Sequence, residues 1–475
     1  MKTISAFLFV TVLAAQDVPL SKIERKGLAP VSREILRVKL PKATEFKLDN
    51  GLTVLVMEDH KLPLVTMRLI IQGAGALNDP RDLPGLAAFT ATMLREGTAS
   101  RTSKQIAEES DRLGATIAPS APWASDSVTV AMAGLSDNLA DWLAVGADVL
   151  LHPVFPESEL NKLKQRQKAQ LQQNRSSSNF LLGERWNKAI YGDHPASVTS
   201  PTPQSIDAIT PEMLKNWHAA RYAPQNAILG VSGDVRPAEL RTLLTKILPW
   251  KSNTFAVAET PQTKPVQGRK IYLVDRPGAV QADVYLGNIA VRRADPDYIP
   301  MIVMNHVLGG AASSRLFINL REEHGYTYGA YSFVTARKYA GPWIGMANMR
   351  TDATAGAMTE FLKEIDRIRN QPVPESELEE HKRALVAGFA LSLEDPNQLL
   401  DFAITQKLYG FPADYWDTYP AKISAVTAEQ VARVANQYLQ PDNLQIVAVG
   451  DAAKVKPVLD KLGPVTLFDT AGNKK

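Results

Sequence analysis

The chain is read as an α+β protein built from two duplicated domains. Three observations carry this: a long internal repeat, a matching order of strand and helix patterns in both halves, and a linker between them. With 475 residues there is room for more than one domain, and 45% hydrophobic residues can fill real cores. Ser205 to Asp234 and Lys422 to Asp451 align without a gap at a constant offset of 217. Ile206, Ala208, Thr210, Pro224, Asn226, Gly233 and Asp234 fall on identical residues. In each copy a threonine (Thr210, Thr427) caps an amphipathic helix. A Pro-x-Asn turn follows, and an apolar strand, Ala227 to Val231 or Leu444 to Val449, ends at Gly-Asp.

The starts of the halves are looser copies. Phe46 to Val56 reads strand, Asn-Gly hairpin, strand; Val65 to Gln72 is a further strand, and helical periodicity begins near Pro84. In the second half, Lys270 to Val274 and Gln281 to Asn288 are strands, followed by helical sequence from about Pro296 to Leu308. Long polar helices, Glu157 to Asn174 and Glu375 to Leu393, recur at corresponding places and would cover antiparallel or mixed sheets. The division is 41–250 and 268–468, joined by a Thr-, Pro-, Ser- and Ala-rich linker at 251–267 and followed by a fraying tail at 469–475.

Residues 1–15 have the layout of a secretory signal peptide: Lys2, an apolar run from Ile4 to Leu13, then small residues at Ala14-Ala15. A polar extension, 16–40, is expected to pack loosely. Export, most simply to the periplasm, fits a chain with no cysteine. That absence also excludes disulfides, thiolate metal sites and cysteine nucleophiles, and leaves no lipid attachment after the signal. A formal charge of +3 gives no reason to expect nucleic acid or an anionic membrane as partner.

Several stretches, in order, resemble the pitrilysin/insulinase family of zinc peptidases. They are Asp49-Asn50-Gly51-Leu52 with Gly73-Ala74-Gly75 and Gly85-Leu86-Ala87, then Tyr191-Gly192-Asp193-His194-Pro195. Gly309-Gly310-Ala311-Ala312-Ser313-Ser314-Arg315-Leu316-Phe317, running into Leu320-Arg321-Glu322-Glu323-His324-Gly325-Tyr326-Thr327-Tyr328, completes the set. The resemblance covers about 40 to 465. It implies mostly antiparallel sheets covered by helices, of the mitochondrial-processing-peptidase type, forming half of a clamshell.

In the family frame H-x-x-E-H, this chain has Ala88, Ala91 and Thr92. Positions i, i+3 and i+4 share a helix face, so two imidazoles and a glutamate there could bind zinc and activate water. Two methyls and a hydroxyl cannot. The family's third ligand, a glutamate on the helix opening Phe155-Pro156-Glu157, is matched by Gln170. No metal or cofactor is thus expected on this chain.

The family's arginine and tyrosine, seven residues apart in the C-terminal domain, match Arg321 and Tyr328. On spacing alone these read as a surface helix residue and a strand residue. The resemblance gives them the role of donating to a substrate carbonyl as it gains charge. It implies a non-catalytic subunit of a heterodimeric peptidase. The zinc would then sit in an H-x-x-E-H-bearing partner, and a peptide would be held along a sheet edge. The alternative is an inactive scaffold or peptide-binding protein of the same fold. An autonomous hydrolase lacks a coherent ligand set.

Other motifs have plainer readings. Glu377-Leu378-Glu379-Glu380-His381 is a charged helix face, His194-Pro195 shapes a turn, and Gly309-Gly310 is a tight turn onto a helix. Trp123 sits in a loop where it could line a cavity or simply pack.

Overall fold

Asn50-Gly51 closes the first hairpin as its chemistry demands. Gly51 takes φ +94°, and Asn50 Oδ1 accepts from the Leu52 amide at 3.1 Å. The hairpin strands are Thr44–Lys47 (β1) and Thr53–Glu58 (β2). Leu64–Gln72 (β3), Thr116–Ser120 (β4), Ser127–Leu135 (β5) and Ala227–Gly233 (β6) complete a mixed sheet in the order β1-β2-β6-β3-β5-β4. The second sheet uses Lys270–Asp275 (β7), Gln281–Ile289 (β8), Thr327–Val334 (β9), Pro342–Arg350 (β10), Gln445–Gly450 (β11) and Val465–Phe468 (β12). Its order is β12-β7-β11-β8-β10-β9. Five strands correspond one to one, with β2 parallel to β6 and β7 parallel to β11. Only the outermost strand differs: β1 pairs antiparallel with its hairpin neighbour, whereas β12 arrives parallel from the chain's end.

This computed structural model describes residues 36–475. The expected signal peptide and nearly all of the 16–40 extension lie outside the described residues. The expectation of loose packing does not hold for the end of the extension that is described: Leu40 is buried, and its amide donates to Asp417 Oδ1 at 2.9 Å. No described helix is long and apolar enough to cross a membrane.

Alternation sets what each sheet buries. In β3, Val65, Met67, Leu69 and Ile71 point into one core with Trp142, Leu143 and Phe89. In the second half Ala282, Val284 and Leu286 of β8 point at Met301, Met304 and Phe361. The opposite faces are covered by exchange within the single compact unit Arg37–Lys475. Helix Ser178–Tyr191, from the first half, lays Leu181, Leu182, Trp186 and Ile190 on Val274, Ile289, Val447 and Val449 of the second sheet. Helix Pro396–Tyr409, from the second half, lays Leu400 and Ile404 on Leu55, Met57, Ile70 and Ile228 of the first. Each such buried side chain contributes about 1.5–3 kcal/mol, so neither sheet is covered without the other half.

One sequence expectation, that of a fraying tail, changes. The 251–267 segment has no regular structure, yet it is held down. Asn226 Nδ2 donates to Phe255 O at 2.9 Å, His194 Nε2 lies 2.9 Å from Pro261 O, and Thr263 Oγ1 donates to Ala340 O at 2.7 Å. The tail does not fray. Asp469 Oδ1 accepts from the Asn473 amide at 2.8 Å, which turns the chain back so that Lys474 bridges Phe468. Arg185 Nη2 and Lys475 Nζ then fasten it, to Gly472 O at 3.1 Å and Asp275 Oδ2 at 2.7 Å.

Candidate functional site

Helix Leu86–Met93 carries the positions where zinc chemistry is expected. It begins abruptly. Gly85 adopts φ +105°, and the carboxylate of Asp79 closes the helix end, Oδ2 accepting from the Gly85 amide at 2.7 Å and Oδ1 from the Ala87 amide at 2.9 Å. Burial pushes the Asp79 carboxyl up to about 7, against the opposing pull of those two amides and of the Arg221 guanidinium. Arg221 itself donates to Gly73 O at 2.7 Å and stacks over Trp217.

Ala91 is fully buried, while Ala88 and Thr92 are half-buried one turn apart. The Thr92 hydroxyl does not look outward: it donates to Ala88 O at 2.9 Å, the usual back-bond of a threonine within a helix. Gln170 is exposed and donates to Asn174 Oδ1 at 2.8 Å. Its helix, Glu157–Asn174, is pinned to the core by Leu160 and Leu163, and to Asp207 by Lys164 and Lys168. The side chains at these four positions do not fit a zinc ion. Among the described residues, no group of three or more His, Asp or Glu could hold a metal.

The second half presents its pair differently. Arg321 lies in a π-helical turn, Ile318–Glu323, in which the His324 amide reaches back to Asn319 O at 3.2 Å. Asn319 is buried beneath the turn, and its Nδ2 donates to Glu360 Oε2 at 3.0 Å and Glu364 Oε1 at 2.9 Å. Those bonds satisfy an amide donor that would be costly to bury alone. The Arg321 side chain is 46% exposed, lies over the Phe317 ring, and has one weak acidic neighbour, Glu322 at 3.4 Å. Tyr328, at the start of β9, is 82% exposed. The Gly325 amide donates to Arg321 O and the Tyr326 amide to Leu320 O, so the turn feeds directly into the strand.

The structure corrects the reading of Glu377 to His381. The helix is Glu375–Ser392, but His381 is buried, with Nδ1 at 2.9 Å from Nδ1 of His306 on helix Tyr298–Leu308. Burial pushes His306 down to about 4 and lowers His381 too. Glu377 is engaged with buried Arg315, Oε1 to Nε at 2.7 Å and Oε2 to Nη2 at 2.8 Å. The His194-Pro195 turn forms as read, with His194 Nδ1 accepting from the Ala196 amide at 3.1 Å. Gly309-Gly310 likewise turns onto the short helix Arg315–Phe317. Trp123 packs against the first core beside Gly85.

Sequence reasoning missed Asp79, Arg221, Asn319 and the histidine pair. Asp79-Pro80 signals only a turn, and the partners of the others lie dozens of residues away or more.

The edges of the two sheets are unequal. At β9, the Ser332 amide donates to Gly309 O at 2.8 Å and Asn305 Nδ2 donates to Ser332 O at 3.0 Å, which occupies the middle of that edge. At β4 no backbone bond reaches the outer side among the described residues, although Pro119 lacks an N–H.

Known proteins share this sequence pattern and fold. Residues 53–201 match the family described as Insulinase (Peptidase family M16), and 208–385 match Peptidase M16 inactive domain. An uncharacterized zinc protease of Bacillus subtilis is 23% identical over 83% of this chain and 95% of its own length. A non-peptidase homolog of Helicobacter pylori is 22% identical over 85% and 93%. The crystal structure of a peptidase M16 inactive domain from Pseudomonas fluorescens superposes with TM-score 0.79 at 27% identity, covering 86% of this chain and 98% of that one. A protease from Helicobacter pylori superposes at 0.78 and 20% identity, over 86% and 100%, a likeness of fold. The chain belongs to peptidase family M16, the insulinase family, as an inactive-type homologue.

Proposed function

We propose that this chain is the non-catalytic subunit of a two-chain M16 peptidase, exported to the periplasm. It forms half of a peptide chamber and supplies Arg321 and Tyr328 to a zinc site held by an H-x-x-E-H-bearing partner. The observation that carries the reading is a contrast. The zinc-helix positions are closed off by methyl groups and a back-bonded hydroxyl, while Arg321 and Tyr328 stand exposed with no strong partner of their own. A guanidinium and a phenol left free in this way are suited to donate to a carbonyl oxygen that gains charge. An extended peptide would add to the open edge of β4, with side chains alternating toward and away from the sheet.

Co-purification of the tagged chain from the periplasm of its host, with mass spectrometry of stoichiometric partners, tests the assembly. A partner of similar size carrying H-x-x-E-H is expected. Within that complex Arg321→Ala should lower kcat by about 10²–10³-fold, the usual loss on removing one oxyanion donor, with assembly unchanged. If the bait emerges alone, or Arg321→Ala turns over normally, the chain is instead a scaffold or peptide-binding protein of this fold.

A further inference from the structure

Arg321 owes its place to its backbone, because little holds its side chain. The nearest carboxylate is its chain neighbour Glu322, at 3.4 Å, and the guanidinium otherwise rests on the Phe317 ring. What fixes the backbone is helix Thr354–Asn370, which grips the segment from Asn319 to Tyr326 at both ends.

At the front end, buried Asn319 offers one Nδ2 to two carboxylates a turn apart on that helix, Glu360 Oε2 at 3.0 Å and Glu364 Oε1 at 2.9 Å. Glu360 Oε2 also accepts from Lys363 Nζ at 2.9 Å, and Arg367 Nη1 lies 3.6 Å from Glu364 Oε1. A bond to an ionised acceptor is roughly twice as strong as one between neutral groups. At the back end, Tyr326 crosses the same helix at Gly356, where a Cβ would lie 2.7 Å from the tyrosine ring and hydroxyl. The Arg350 amide also donates to Tyr326 O at 3.2 Å.

Between these ends lies one residue more than an α-turn holds. The bond from the His324 amide to Asn319 O closes a π turn, a rare form found frequently at functional sites. The fold does not demand it. In strand order β9 corresponds to β4, and the helix that leads into β4, Ser103–Arg112, is a regular α-helix that buries Ile106 and Ser110. An added residue re-aims the side chains between Asn319 and β9, and Arg321 is among them.

We propose that Asn319, Glu360 and Glu364 are positioning residues for Arg321: they hold the turn in its widened form, so that the guanidinium is aimed before a substrate arrives. This rests on the reading of Arg321 as a donor at the partner's zinc site. In that role placement matters steeply, since a misplacement of about 1 Å can cost about 10²-fold in rate.

The test uses substitutions that keep size and reverse the chemistry. Asn319→Asp removes the donor and sets a third carboxylate against the two present. Adding Glu364→Gln returns a donor from the other side of the pair. In the full chain alone, amide hydrogen exchange at 324–326 reads whether the grip holds the turn. Asn319→Asp is expected to speed it about tenfold or more while the first sheet keeps its protection, and the double substitution to slow it again. In the complex with the H-x-x-E-H-bearing partner, Asn319→Asp is expected to lower kcat by about 10- to 100-fold with KM little changed. Made on top of Arg321→Ala it should cost nothing more, because it acts only through the guanidinium. Should Asn319→Asp not fold, Glu360→Gln, which weakens one of the two bonds, should give a smaller change of the same pattern. An equal further loss in the Arg321→Ala background would make Asn319 a stability residue and overturn the proposal. Exchange at 324–326 that does not respond would overturn it too, whatever the assembly. If exchange responds but no partner is found, or Arg321→Ala turns over normally, the reading of Arg321 fails and the positioning role falls with it.

Discussion

The two halves share a strand order and a repeated sequence, yet they spend the same positions on different chemistry. Asp234 and Asp451 are one residue duplicated. In the first half Asp234 accepts from Ser136 Oγ and lies against His60 Nδ1, both at 2.7 Å, which ties the β2–β3 loop to the sheet. In the second, Asp451 Oδ1 caps helix Ala452–Leu459 through the Ala453 amide at 3.1 Å, and Oδ2 accepts from the Gly278 amide at 3.2 Å. The exchanged helices differ as well. The first half contributes an aromatic-rich one, with Trp186 meeting Tyr285 edge to face, and the second an aliphatic one. The lesson is that duplication preserves strands and caps, which the backbone requires. Side chains at helix faces and strand ends are free to diverge, and the candidate chemistry sits among them.

The largest test of this comparison is removal of the exchanged contacts. Trp186→Ala should destabilise the chain by about 3–5 kcal/mol and Ile404→Ala by about 2–5 kcal/mol, both being buried in otherwise full layers. Urea unfolding followed separately in the two halves should show one shared transition moving in each variant. A transition that splits, with the helix donor's own half unaffected, would mean that the halves fold independently despite the exchange.

Gly230 sharpens the same point at one atom. A Cβ there would lie 2.6 Å from Ile404 Cδ1 and 3.0 Å from Leu400 Cδ1, so the aliphatic helix approaches the first sheet closely only because this strand residue is glycine. Its counterpart Val447 is buried beneath the other exchanged helix without such a constraint. Gly230→Val, which makes the halves alike, should cost about 1–3 kcal/mol in overpacking, read from the same urea midpoint.

Much of the fold was legible because its signals are local. Asn50-Gly51, the Thr210 and Thr427 caps, and the alternation in Leu64–Gln72 each act within a few residues. The exchange was not legible. The pattern of Ser178–Tyr191 says that one face is apolar, but Ile190 and Val447 are too far apart in sequence for a pattern to say which sheet that face covers. His381 misled for a related reason. The run of charges from Glu375 to Lys382 suggests an outer surface, yet Lys382 is buried beside it and Glu377 pairs with buried Arg315, and helix Tyr298–Leu308 packs across His381 itself. That Ala88, Ala91 and Thr92 offer no good metal ligand was readable directly, since two methyls and a hydroxyl lack that chemistry wherever they sit. Gln170 was less so: a helix repeats its faces every turn, and the residue proves to be exposed and occupied with Asn174.

Asp79 gives a pH test confined to the first half. Its carboxyl is raised to about 7 in the folded chain from an ordinary value of 3.8. Between those values the folded state holds more protons than the unfolded one, so this group's contribution is present at the acid end and is lost as pH rises toward 7 and above. Asp79→Asn should flatten that slope in thermal unfolding between about pH 4 and 7, while the loss of one of the two oxygens that accept at the Leu86–Met93 helix end costs about 1 kcal/mol. A slope unchanged by the substitution would assign the pH dependence elsewhere.

The smallest expected difference compares the two duplicated caps. Thr210 and Thr427 each accept from the amide three residues on, Met213 and Gln430, at 3.3 Å. Only the second copy closes the box, because Gln430 Oε1 also accepts from the Thr427 amide at 3.0 Å, whereas Met213 has nothing to return. Pro211 partly compensates in the first copy by fixing the backbone of the first turn. Either threonine changed to alanine should cost about 0.5–2 kcal/mol. The box makes the two caps interdependent in one half alone: after Gln430→Ala, the further loss from Thr427→Ala should shrink by a few tenths of a kcal/mol, while Met213→Ala should leave the Thr210 cost untouched. Equal coupling in both halves would show that the return bond adds nothing, and that the caps, like the strands, were simply copied.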